Sequence, residues 1–112
     1  NSSDKFKPGL DKLSDFYLRY PNLIESSFIE VVLKGKLITL SSQNLIVSSD
    51  SEELNLVLDP EGNTRFLSSN GKSTPPDPIK PTDLKSGDNL EIHLRLNPFT
   101  AKTSVSFAIK TN

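Results

Sequence analysis

Residues 83–96, DLKSGDNLEIHLRL, constrain this chain more than any other stretch. A turn, Lys85-Ser86-Gly87-Asp88, leads into strict alternation. Leu90, Ile92, Leu94 and Leu96 fall on one side, and Glu91, His93 and Arg95 on the other. Period-two alternation over that length predicts a strand with one buried and one wet face. The other apolar segments support the same reading, a small all-β domain.

Residues 8–21 predict a helix: Pro8 suits a first turn and Pro21 stops it. Leu10, Leu13, Phe16, Tyr17 and Tyr20 share a stripe expected to pack on the β domain, the alternatives being a spacer from an anchor or another domain and a partner-binding helix; Asp15 and Arg19 form an i,i+4 pair on the other side. Residues 1–27 therefore read as a polar tail plus an amphipathic helix, and 28–112 as the β domain. The Asn1-Ser2-Ser3 triplet fits a glycosylation acceptor pattern.

Residues 28–40 are rich in β-formers around Gly35, which predicts a bend where the buried parity changes. A bent first strand serving two sides of a sheet is what a small barrel requires. Short strands are expected at 45–47, 54–58 and 64–67. Asp59-Pro60-Glu61-Gly62-Asn63 supplies a turn. Residues 70–81, NGKSTPPDPIKP, predict an exposed loop outside the sheet, because proline lacks the N–H that a ladder needs. Ile79 is expected to tack that loop onto the domain. After a turn at 97–100, a last strand is expected to face Val105, Phe107 and Ile109 inward.

Composition narrows the function classes. A chain of 112 residues is one domain with an appendage, and a hydrophobic fraction of 34% predicts a small core. The net charge of −1 gives no global pull toward nucleic acid or an anionic membrane. The absence of Cys removes disulfides, thiolate nucleophiles and zinc–thiolate sites. The absence of Met points to a piece of a longer product. No run approaches the roughly 20 apolar residues of a membrane span, so no membrane insertion by this segment is expected.

His93, the single histidine, has no Cys or second His to join in a metal site. The acids Asp50, Glu52, Glu53, Asp59 and Glu61 lack EF-hand spacing and read as solvated turns. No nucleophile elbow or phosphate-binding glycine loop is present. The chain is thus read as non-catalytic, with no cofactor and no metal. An enzyme would need a pocket joining His93 to two carboxylates. Lys and Arg are scattered along the sequence, which argues against nucleic acid. The candidate binding surface is Phe66, His93, Arg95 and Phe99.

Gly35-Lys36-Leu37, the segments 45–47 and 54–58, Thr64-Arg65-Phe66 and Asp83-Leu84-Lys85-Ser86-Gly87-Asp88 occur in an order that resembles a bacterial family of unknown function. The resemblance covers residues 30–112. It implies an OB-like small β-barrel of five or six strands, here with an N-terminal helix. It further implies an extracytoplasmic setting, in the cell envelope or secreted, and a non-catalytic interaction or assembly role. The partner would be another protein or another domain of the same chain. The alternative is a ligand-binding OB barrel for an oligosaccharide or single-stranded nucleic acid. Its mark would be a concave face with exposed aromatics.

Overall fold

The computed structural model describes Lys5 and residues 7–69 and 75–111. The glycosylation triplet and residues 70–74 of the Pro-rich stretch lie outside them. The described chain is mostly β: one helix, α1 (Lys7–Arg19), precedes β1 (Ile29–Leu40), β2 (Asn44–Ser49), β3 (Glu52–Val57), β4 (Arg65–Ser68), β5 (Asp77–Pro78), β6 (Asn89–Leu96) and β7 (Thr103–Lys110). The seven strands form one mixed sheet in the order β3-β2-β1-β6-β7-β4-β5. All pairs are antiparallel except β4 with β7. Beyond the end of β3, Leu58 makes an isolated parallel bridge to Val105 of β7.

The alternation of β6 is realised as read. Leu90, Ile92 and Leu94 are buried in the core with Leu37, Leu45, Val47, Leu58, Phe66, Val105 and Ala108. The turn ahead of β6 is fixed by chemistry at both ends. Gly87 takes φ 94°, as the third residue of a type II turn requires. The Asp88 N–H donates to the Lys85 carbonyl, and the Lys85 N–H donates to the buried Asp88 carboxylate at 2.8 Å. Leu37 N donates to Asp88 O and Gly87 N to Leu37 O, which carries the β1–β6 ladder through the turn.

β1 serves two neighbours on opposite edges: residues 29–36 pair with β6, and residues 36–40 with β2. Gly35 lies at the hand-over. A Cβ there would meet the Ser48 carbonyl oxygen at 3.0 Å and Val47 Cβ at 3.3 Å. The change of buried parity, expected at Gly35, comes later. Leu33 and Leu37 both lie on the core side. The register then slips between Leu37 and Thr39, so the extra residue, Ile38, brings Leu40 to the core. β2 and β3 join through Asp50 and Ser51, both at positive φ, the backbone of a two-residue hairpin turn.

A second slip, between the His93 and Leu94 partners, corrects the reading of β7. His93 faces Phe107 but Leu94 faces Val105, so Ser106 is the extra residue. Val105 points inward and Ile109 is buried, as expected, but beyond Ser106 it is Ala108 that joins the core cluster, and Phe107 turns to the outer face.

The Pro-rich stretch is also corrected. Asp77 and Pro78 add a short antiparallel edge to β4, and Ile79 N donates to Phe66 O at 2.9 Å. A proline at the edge of a sheet loses no ladder bond, because its missing donor would have faced solvent. Ile79 packs against the core as read.

α1 forms where expected, with the Asp15–Arg19 pair at 3.2 Å. Its apolar stripe does not pack on the sheet, however, and α1 has no buried residue. Its ties are an edge-on contact of Tyr17 with Phe99, 5.3 Å between centroids, and a hydrogen bond between the Tyr17 and Ser27 hydroxyls. No helix among the described residues is long and apolar enough to cross a membrane.

Candidate functional site

The outer face of the sheet follows from the register. Residues directly opposite in paired strands share a face. Val32, His93, Phe107 and Arg65 thus form one row across β1, β6, β7 and β4, and Glu30, Arg95 and Ser104 form a parallel row on β1, β6 and β7. Phe28, just before β1, has the parity of Glu30 and Val32 and joins this face.

Two stacks organise it. The His93 ring lies on the Phe107 ring, with centroids 4.0 Å apart and planes 20° apart. The Arg95 guanidinium lies 5.2 Å from the Phe28 ring centroid, a cation–π contact. His93 Nδ1 is 2.8 Å from Glu30 Oε1, and Nε2 is 3.3 Å from Glu91 Oε2. With its side chain 16% exposed, the histidine is held by the face itself and keeps no free nitrogen. Two carboxylates thus do meet His93, and His93 lines neither of the two clefts of 630 Å³. Among the described residues, no three of His, Asp and Glu converge where a metal ion would sit.

Beside the stacks lies a cleft of 630 Å³. Phe28 and Phe107 supply its aromatic surface, and Arg65, Arg95 and Lys102 its cations. Among the described residues, Asp59 is the single acid in the lining. The cations come from β4, β6 and the turn before β7. That turn is shaped by Asn97, whose side-chain oxygen accepts the Phe99 and Thr100 N–H groups. At the other rim, Thr64 donates to Val105 O at 2.7 Å and accepts the Asp59 N–H at 2.8 Å, which ties the 59–63 turn to β7. Such a cleft can hold an anionic group beside a flat apolar one.

A second cleft, also 630 Å³, has a floor that includes Leu37, Leu58 and Phe66, and a rim that includes the hydroxyls of Ser41, Thr82 and Ser86.

The four expected surface residues separate. His93 and Arg95 share the outer face. Phe66 is in the core, because the parallel register sets it beside Ala108 on the inner side. Phe99 is 57% exposed but meets α1 through Tyr17, away from the cleft lining. Sequence reasoning missed Phe28, Arg65 and Phe107. Phe28 carried a usable signal, its parity with Glu30. Phe107 carried none, since the extra residue at Ser106 leaves no mark in the pattern. The scattered cations are scattered only along the chain, and the fold gathers Arg65, Arg95 and Lys102.

No protein-family model, no curated protein and no solved structure matches this chain.

Proposed function

We propose that the chain is a non-catalytic interaction module of a bacterial envelope or secreted protein, built as a small OB-like barrel, that takes an acidic segment of a partner protein or domain in the Phe28–Phe107 cleft. The observation that carries the reading is the convergence of Arg65, Arg95 and Lys102 around two phenylalanines. The barrel reading is supported by the Leu58–Val105 bridge and the parallel pairing of β4 with β7. Both fit a sheet that curls toward the closure an OB-type barrel would have. The cellular setting rests on the family resemblance of residues 30–112. A reporter active only after export, fused to the full-length gene product, tests it; an inactive reporter overturns it.

A second reading is favoured by one feature, the two ring faces at the cleft. Single-stranded nucleic acid and sugar ligands stack on such faces in OB barrels. Amide shift mapping separates the two. A Glu-rich peptide should perturb Phe28, Arg65, Arg95 and Phe107, and a double R65A/R95A variant should bind it about tenfold more weakly, the effect of roughly 1.4 kcal/mol in lost charge contacts. Shifts with a short oligonucleotide or a glycan, but not with the peptide, replace the first reading by the second. No shifts with any of the three at millimolar concentration remove both.

A further inference from the structure

The second cleft opens where the core reaches the surface. Its floor is Leu37, Leu58 and Phe66, and its apolar walls are Ile38, Leu40 and Leu84. Ile38, the extra residue of β1, is 38% exposed at this mouth.

The segments around the cleft are each tied down elsewhere. The Ser41 hydroxyl accepts the Asn44 N–H at 3.1 Å, which fixes the turn between β1 and β2. Leu58 N donates to Gln43 O at 2.9 Å, and Thr64 holds the far end of the 59–63 turn to β7. The third side is a short 3₁₀ turn, Pro81–Asp83. Lys80 N closes it by donating to the Asp83 carboxylate at 2.9 Å, and Ile79 N bonds Phe66 O just before it. With its walls so fixed the cleft is preformed. Its 630 Å³ falls within the roughly 300–1,000 Å³ of small-molecule sites.

The lining selects the ligand. Among the described residues, no Lys, Arg or His lines this cleft, and Asp59 is its single ionisable group. One Asp59 oxygen already accepts the Glu61 N–H at 2.9 Å. An anion would enter beside a carboxylate and lose water with no counter-charge to offset the loss. The Ser41 and Thr64 hydroxyls are engaged by the protein. Those of Thr82 and Ser86 have no partner among the described residues. A free hydroxyl can both donate and accept.

We propose that this cleft binds a small uncharged apolar alcohol, its body on Leu37, Leu58 and Phe66 and its hydroxyl at Thr82 and Ser86. The two clefts share only Asp59, so this proposal and the acidic-segment reading can fail separately.

The test titrates the full chain with N-phenyl-1-naphthylamine, an uncharged dye that brightens on leaving water. Its emission should rise to saturation. 1-Octanol should displace it at a concentration about tenfold or more below that of octanoate or octylamine, which carry the same chain with a charge. Amide shifts with 1-octanol should fall on Leu40, Phe66, Thr82 and Ser86 and leave Phe28, Arg95 and Phe107 in place. Thr82→Trp fills the rim from an exposed position and should weaken dye binding about tenfold, with the melting temperature unchanged. Ser86→Trp, from the neighbouring turn, should do the same, so a folding defect in one variant leaves the other to decide. Emission that never saturates, shifts confined to α1 or to the Phe28–Phe107 cleft, a charged chain that displaces the dye as well as 1-octanol does, or folded Trp variants that bind normally would overturn the proposal.

Discussion

Ile92 is fully buried at the middle of β6, between the Leu33 and Ala108 positions of its two neighbours. Its replacement by Ala leaves a hole that the ladders on both sides prevent from collapsing. The expected loss is about 2–4 kcal/mol, read from denaturant titration. A loss below about 0.5 kcal/mol, the range of surface substitutions, would place this side chain on the wrong face. His93 on the neighbouring position shows the limit of reading single residues. Its wet parity is correct, yet three other side chains occupy it. Glu91 is its same-face neighbour on β6, but Phe107 and Glu30 reach it only because the register of β1, β6 and β7 brings them there.

At the scale of elements, β1 holds the fold together by bonding different strands with its two halves. Gly35 stands where the halves meet and where the β2 backbone comes close. Gly35→Ala should cost about 1–3 kcal/mol, the usual range for forcing extra volume into packed structure. Thermal unfolding measures it, and an unchanged midpoint would mean that β2 yields freely. This element also shows what was legible in the sequence. Strands with one buried face announce themselves by alternation, so β6, the hairpin of β2 and β3, and the turns at 59–63 and 85–88 could be read directly. Slips at Ile38 and Ser106 could not, because an inserted residue changes parity without changing composition. The edge strand Asp77–Pro78 was hidden for another reason: prolines argue against central strands, but an outermost strand needs only half of its backbone groups. The cleft was illegible because its three cations come from segments far apart in the chain.

On the scale of the whole molecule, the sheet and α1 are nearly separate. α1 buries none of its residues and reaches the sheet through Tyr17. A variant beginning at Tyr20 should therefore keep the fold. Its melting temperature should fall by no more than about 4–8 °C, the equivalent of roughly 1 kcal/mol in a domain of this size. A larger fall in a thermal scan would make the helix part of the stable unit. Its exposed stripe, with Leu10 and Phe16 more than half accessible, explains why the expectation of a packed helix failed. Amphipathicity says that a helix has an apolar side, not that the same domain covers it.

The pairing order has a consequence for synthesis. β1 leaves the ribosome before the other strands, yet among the described residues its first half pairs only with β6, and the bridge at Leu58 waits for Val105. Local contacts can form only the β2–β3 hairpin and its attachment to the end of β1. Ile29, Leu33 and Leu37 stay uncovered until β6 and β7 have emerged, and the long loop between them must then close at an entropic cost before any core contact offsets it. Folding is accordingly a nearly all-or-none event that waits for β7, and a chain truncated within β7 should go to proteolysis rather than to a partly folded product.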